Sequence, residues 1–223
     1  MVILGMTQNK TSGYYRDEFN KIAWLYDPLI RALAFFLGGE RKIRKRVLNL
    51  LNLKAGDKVL DAACGTGTSL IMIGEMVGAN SEVVGIDLSP NMIKIAKSKV
   101  KSANISFLNT NSEDIPYPDN YFDKAHISLA LHEMIHEGRV NTLMEMHRVL
   151  KPSGVFVAAD FGNPVGRLAK FLFKILMLVE TDTARDMMKR GLLNEIKDAG
   201  FIEEEVIILL GGIAQIIVAG KSA

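Results

Sequence analysis

Val59-Leu60-Asp61-Ala62-Ala63-Cys64-Gly65-Thr66-Gly67-Thr68 is an apolar run that ends in an acid and passes into a loop of small residues. Val83-Val84-Gly85-Ile86-Asp87 is a second apolar run that ends in an acid, and Asp61 and Asp87 stand 26 residues apart. That separation fits one strand–helix–strand unit. The small residues let a ligand approach the backbone closely, and the helix start offers free N–H groups. An acid ending the second strand can accept hydrogen bonds from both hydroxyls of a ribose. Together the two segments describe the first half of a nucleotide-type pocket.

Working outward, residues 14–52 read as helical, with apolar positions at Phe19, Ile22, Ala23, Tyr26, Leu29, Ile30 and Leu33. Asp27-Pro28 is expected to break this stretch, because a residue before proline avoids the helical region, and Gly38-Gly39 to break it again. The basic run Arg41 to Arg46 reads as the solvated face of a helix. Strands are expected at 58–63, 82–87, 105–108, 122–128, 155–160, 201–209 and 213–219. Helices are expected at 67–78, from Pro90 to 102 with Ser89 as cap, at 137–150, at 165–179 and at 182–199. Residues 110–120 are polar and form a loop, and Lys151-Pro152-Ser153-Gly154 forms a sharp turn. Strands alternating with helices imply a parallel sheet covered on both faces. The short Gly211-Gly212 connection requires a hairpin, so one of the last strands is antiparallel.

Composition narrows the function classes. The chain has 223 residues, 48% hydrophobic and 23% charged, which suits one domain with a large core. A net charge of +2 gives no general attraction to nucleic acid. Cys64 is the one cysteine, so there is no internal disulfide framework and a reducing, cytoplasmic setting is expected. No secretory signal and no uninterrupted apolar run of about 18 residues stands out.

Four motifs in order resemble class I S-adenosylmethionine-dependent methyltransferases, and among them the ubiquinone/menaquinone-biosynthesis family. They are Leu60-Asp61-Ala62-Ala63-Cys64-Gly65-Thr66-Gly67, Gly85-Ile86-Asp87-Leu88-Ser89-Pro90-Asn91-Met92, Glu113 to Asp123, and Arg148-Val149-Leu150-Lys151-Pro152-Ser153-Gly154. The resemblance implies a Rossmann-like, doubly wound α/β fold: a seven-stranded, mostly parallel sheet with an antiparallel strand seven. It divides the chain into a helical cap (1–53), a cofactor-binding core (54–160), a helical substrate lid (161–200) and a C-terminal hairpin (201–223). S-adenosylmethionine is the implied cofactor and S-adenosylhomocysteine its product. Carried over position by position, Asp61 organises the glycine loop and meets the methionine amino group. Gly65 and Gly67 let the methionine part pass the backbone. Asp87 holds the ribose, with Leu88 and Met92 against the adenine. Asn111 stands where the family usually has an acid that meets the adenine amino group, and Ala63 stands where a first glycine is usual. Ser128 flanks the methionine end, and Ala62, Cys64 and Ser112 complete the cofactor set.

His132-Glu133-Met134-Ile135-His136 matches the His-Glu-x-x-His pattern of zinc proteases. No third ligand follows at a family spacing, and the break between strand four and the next helix is expected inside the motif, so no metal is assigned. A methyl acceptor sometimes has to lose a proton, and His132, His126, Tyr14, Tyr15 and Tyr26 are the candidate groups. His132 and Tyr26 are retained as the catalytic candidates, His132 for positioning and Tyr26 as a cap over the site. The apolar stretch 165–179 carries Lys170 and Lys174 on one face and leaves three readings open: core or dimer surface, wall of a lipophilic acceptor pocket, or peripheral membrane contact. The reading is methyl transfer to a small apolar or aromatic acceptor, with quinone-precursor C-methylation the nearest guess, by a monomer or homodimer. An amine, lipid head group or natural product is the alternative acceptor, and a non-catalytic cofactor-binding regulatory module the alternative of another class. Nucleic-acid methylation is disfavoured by charge and by the lack of an Asn/Asp-Pro-Pro-Tyr/Phe motif after strand four.

Overall fold

The structure is a computed structural model that describes residues 17, 20, 21, 23–28, 31, 32, 39–176 and 182–222. Tyr14, Tyr15, Phe19, Ile22, Leu29, Ile30, Leu33, Gly38 and the end of the apolar stretch beyond Leu176 lie outside the described residues. Seven strands form one sheet: β1 (Lys58–Ala62), β2 (Glu82–Asp87), β3 (Ile105–Asn109), β4 (Phe122–Ser128), β5 (Leu150–Phe161), β6 (Ile202–Leu209) and β7 (Ala214–Gly220). Their order is β3-β2-β1-β4-β5-β7-β6. The pairs from β3 to β5 are parallel, and β7 runs antiparallel to both β5 and β6, as the glycine hairpin requires. The helices are α1 (Glu40–Asn49), α2 (Thr68–Val77), α3 (Pro90–Lys99), α4 (His136–Val149), α5 (Arg167–Leu176), α6 (Asp182–Arg190) and α7 (Leu192–Asp198).

Side chains alternate strictly between two buried layers, which is the period-two pattern of a sheet covered on both faces. Leu60, Ala62, Val84, Ile86, Ala125, Ile127, Phe156 and Ala158 pack with Leu143 and Met146 of α4, Met187 of α6 and Ile196 of α7. Val59, Val83, Val157, Ile216 and Val218 pack on the other face with Leu48 of α1 and with Leu70, Ile73 and Val77 of α2. Strand order reverses between β1 and β4. The crevice at the carboxyl ends of those two strands is where an open sheet of this kind takes its ligand.

Four expectations need correction. Asp27 and Pro28 are both helical, so the break expected there is absent. Side-chain bonds from Asp27 to the core compensate for the unfavourable pre-proline geometry. β5 begins at Leu150 rather than 155, because the Lys151-Pro152-Ser153-Gly154 segment is carried into the sheet through an irregularity in its pairing with β4. Ser153 has a positive φ of 60°. The helix expected over 182–199 is two helices, broken at Gly191, whose φ is 85°. Among the described side chains of α5, the core reading holds for Phe173, which packs against Phe161, Ala184, Met188 and Ile213. Val165, Leu168 and Phe171 are 73%, 71% and 61% exposed, beside the exposed Arg167, Lys170 and Lys174.

Arg139, near the start of α4, is fully buried and binds three elements together. Its guanidinium donates to Glu195 of α7 (2.8 and 2.9 Å), to Asp186 of α6 (2.7 Å) and to the Met134 carbonyl (2.7 Å). Removing one partner of such a group strands a buried charge. Arg139→Leu is therefore expected to lower unfolding stability in urea by about 3–5 kcal/mol, whereas Arg190→Leu, at the exposed Asp186–Arg190 pair, is expected to cost less than ~1 kcal/mol. Equal effects of the two variants would show that Glu195 tolerates the loss.

Candidate active site at the carboxyl ends of β1, β2 and β4

The loop after β1 turns tightly because Ala63, Gly65 and Gly67 all have positive φ (50°, 55° and 77°). Ala63 thus occupies a left-handed position that glycine would fill without strain. The Cys64 N–H donates to the Ile86 carbonyl at 2.9 Å, which fastens the loop to β2. Asp87 completes the joint. One carboxylate oxygen accepts from the Gly65 N–H and the other from the Ser89 N–H, both at 2.8 Å. Burial pushes the Asp87 carboxyl up, against these two N–H bonds that favour its charge. Ser89 caps α3 by accepting from the Met92 N–H, with Pro90 in the first turn. A side chain on Gly65 would meet open space, whereas one on Gly67 would stand 3.0 Å from Ala96 Cβ. Gly65 therefore leaves room for a ligand, and Gly67 lets α2 lie close to α3.

These loops border a pocket that opens to solvent. Of the residues singled out by sequence, Tyr26, Ala63, Gly65, Asp87, Leu88, Met92, Asn111, Ser112 and Ser128 line it. Asp61, Ala62, Cys64, Gly67 and His132 do not border it. Ala62 belongs to the buried layer under α4. The Cys64 thiol is buried near Gly85, and burial, then Asp61 and Asp87, push it well up, so it stays neutral. Asp61 is buried, with Oδ1 2.7 Å from His126 Nδ1 on the neighbouring strand. Its Oδ2 is buried with no hydrogen-bond partner among the described residues. A buried carboxylate oxygen left unpaired is costly, so the position fits a ligand that brings a donor.

Sequence reasoning did not single out Glu113, Leu129, Ala130, Glu133, Met134, Ile135 and Gly138 as pocket residues, yet all line the cavity. Glu113 is held by Asn111 Nδ2 at 3.1 Å and Asn141 Nδ2 at 3.3 Å, and Gly138 lets α4 approach it. Leu129 has a φ of 51°, a strained value for a bulky residue, where β4 gives way to the pocket wall. The position after a buried strand that ends in Ser128 was the available signal.

An N-terminal helical stretch covers the mouth. Asp27 accepts from Thr66 Oγ1 in the loop after β1 and from Lys99 Nζ of α3 at 2.7 Å. Asn20 accepts from Ser89 Oγ at 2.6 Å and, through its carbonyl, from Asn91 Nδ2 at 3.0 Å. Burial opposes the charge of Asp27, but the bonds from Lys99 and Thr66 hold its carboxyl below the usual range. Burial, opposed by Arg44 and reinforced by Asp87, raises the Tyr26 hydroxyl, so it enters the pocket as a neutral phenol. That suits a cap better than a base.

The His-Glu-x-x-His pattern does not lie on one helix. Leu131–Glu133 is a 3-10 turn, Met134 and Ile135 are extended, and α4 starts at His136. His132 Nδ1 lies 2.7 Å from Asp160 Oδ1, while His136 Nδ1 lies 3.0 Å from Glu195 Oε1. The two histidines therefore belong to different networks, and the break falls where sequence placed it.

The profile of the ubiE/COQ5 methyltransferase family matches residues 6–187. The chain is 33% identical over 206 residues to an uncharacterized methyltransferase of Synechocystis sp., covering 92% of this chain and 95% of the relative. It is 32% identical over 231 residues to a demethylmenaquinone methyltransferase of Geobacillus kaustophilus, covering 94% and 97%. The structure matches that of a SAM-dependent methyltransferase from Aquifex aeolicus with a TM-score of 0.63 and 25% identity, over 79% of this chain and 88% of that one.

The His132–Asp160 pair offers a direct test of this geometry. Burial alone would lower the His132 pKa, but Asp160, with help from Glu133, raises it to about 10. A histidine raised in this way adds stability that is complete below the unfolded value of about 6.5. That stability is lost as pH rises toward the folded value. Imidazole NMR shifts are expected to show His132 still charged at pH 8. In Asp160→Asn, with the largest raising influence gone, it is expected to titrate at a lower pH than in the wild type. An unchanged titration in that variant would refute the pairing.

Proposed function

The chain belongs to the ubiE/COQ5 methyltransferase family, and we propose that its methyl acceptor is the hydroquinone ring of a quinone precursor, methylated at carbon. The protein is a SAM-dependent methyltransferase. When bound, S-adenosylmethionine supplies a methyl group on a positively charged sulfur that leaves as a neutral thioether. In our reading Asp87 accepts from the ribose hydroxyls, Leu88 and Met92 flank the adenine, and the Asn111 amide oxygen accepts from the adenine amino group. The Asp61 Oδ2, which lacks a partner among the described residues, would take a donor from the methionine ammonium, with Gly65 open beside it and Ser128 near that end. Ala62, Cys64 and Gly67 support the loop from behind, and Ser112 lines the pocket with its hydroxyl 3.1 Å from Thr142 Oγ1.

The observation that carries the acceptor reading is the apolar wall formed after β4. Leu129, Ala130, Met134 and Ile135 present aliphatic and thioether surface to the pocket, with Glu133 the one acid of that wall. Such a wall favours a flat, largely apolar ring over a hydrated amine by the area it removes from water. The name of the Geobacillus kaustophilus relative agrees with this class of acceptor. Holding a ring carbon against the methyl group and in line with the departing sulfur supplies most of what such a displacement needs. The exposed apolar and cationic faces of α5 support contact with a lipid surface, from which an isoprenoid-tailed acceptor would be drawn.

Calorimetric titration of S-adenosylmethionine into wild type and Asp87→Ala tests the cofactor assignment. The variant is expected to bind more weakly by about 1.5–3 kcal/mol, the value of a charged hydrogen-bonding group; equal affinities would refute the role of Asp87. Mass spectrometry after incubation with a prenylated naphthohydroquinone, a benzohydroquinone or ethanolamine tests the acceptor. Methylated hydroquinone alone is expected, and methylated ethanolamine alone would overturn the reading.

A further inference from the structure

We propose that Glu133 is a catalytic residue that binds the acceptor's ring hydroxyl and takes its proton, and that His132 and Asp160 position it. The inference rests on the hydroquinone reading of the acceptor. It assigns a use to the two residues of the His-Glu-x-x-His pattern that zinc chemistry does not claim.

The local backbone makes the arrangement. Ser128 ends β4, Leu129 turns with positive φ, and the 3-10 turn Leu131–Glu133 sends successive side chains to different sides. The Glu133 N–H donates to the Ala130 carbonyl at 3.1 Å, which closes the turn. His132 goes inward and is only 6% exposed. Asp160 receives its Nδ1 at 2.7 Å and its backbone N–H at 3.3 Å, and the Phe161 ring lies 4.4 Å from the imidazole. With both of its neighbours so fixed, the imidazole turns Nε2 toward Glu133, 3.4 Å from Oε1. Glu133 lines the pocket, and its second oxygen has no protein partner among the described residues. The other pocket acids are committed. Asp87 is bound to two loop N–H groups, and Glu113 is bound by Asn111 and Asn141. A charged imidazolium beside one oxygen keeps Glu133 oriented while the other faces the acceptor.

The step balances as follows. The ring hydroxyl passes its proton to Glu133, and the electron pair of the phenolate is delivered through the ring carbon. A carbon–methyl bond forms as the sulfur–methyl bond breaks, and that bonding pair stays on sulfur as a neutral thioether. The resulting dienone loses the proton on its methylated carbon to water, and Glu133 returns the first proton to the ring oxygen. The net release is one proton.

The experiment compares wild type, Glu133→Gln, Glu133→Asp and Asp160→Asn with matched circular dichroism. Three quantities are read: S-adenosylmethionine affinity by calorimetry, 1-naphthol binding by its fluorescence, and kcat and KM with a prenylated naphthohydroquinone. Glu133→Gln is expected to keep cofactor affinity within about threefold, to weaken 1-naphthol about tenfold and to lower kcat about a hundredfold or more. Glu133→Asp is expected to recover part of kcat. Asp160→Asn is expected to lower kcat while leaving cofactor affinity unchanged. Wild-type turnover with a Glu133→Gln variant of unchanged kcat and naphthol affinity overturns the proposal alone. A wild type that binds S-adenosylmethionine and methylates no hydroquinone overturns the acceptor reading, and the proposal with it.

Discussion

One carboxylate joins the parts of the molecule that make a site possible. Asp87 holds the Gly65 N–H with one oxygen and the Ser89 N–H with the other. It thereby fastens the loop after β1 to the start of α3, two segments that strand pairing alone leaves independent. Ser89 then caps α3 and also bonds to Asn20, and Thr66 in the same loop bonds to Asp27. Asn20 and Asp27 are therefore held on the two segments that Asp87 has already fixed. The upward push on its carboxyl reflects what this arrangement costs in desolvation, and the two N–H bonds offset that cost.

Two histidine–aspartate pairs lie behind the pocket and differ in one respect that matters. Each has an imidazole Nδ1 2.7 Å from a buried carboxylate. Asp160 also accepts from the Phe161 and His132 backbone N–H groups, so each of its oxygens has a partner. It does not border the pocket, and its influence passes outward through His132. Asp61 keeps one oxygen without a partner among the described residues. The same residue pairing thus gives a structural anchor in one place and an unfilled acceptor in the other. The difference lies in the number of backbone donors nearby.

The sheet was largely legible because its strands are buried on both faces. Near-continuous apolar runs bounded by glycine, proline and acids give β2 and β4 the bounds expected from sequence. The loops proposed to hold the cofactor were legible as turns for a related reason. Their shape comes from local turn chemistry at Ala63, Gly65 and Asp87. Elsewhere long-range contacts decided. β5 extends back to Leu150 because a partner strand captures the turn. Asp27-Pro28 stays helical because Thr66 and Lys99 hold Asp27 from distant positions. Glu113 and Gly138 meet across the pocket although nothing in either local sequence announces it.

The wall proposed to face the acceptor obeys the same logic in reverse. It runs through Met134 and Ile135, which are extended and have no strand partner to fix them. What fixes them is Arg139, which holds the Met134 carbonyl while its remaining donors go to Glu195 and Asp186. Neither α6 nor α7 contributes to the pocket lining, yet both set the position of that wall through one buried guanidinium. A substitution in those helices can therefore alter which acceptor fits without touching the cavity, while the cofactor loops, fixed independently by Asp87, stay as they are. Separate anchoring of the wall and the loops lets a single fold keep one cofactor and vary its acceptors.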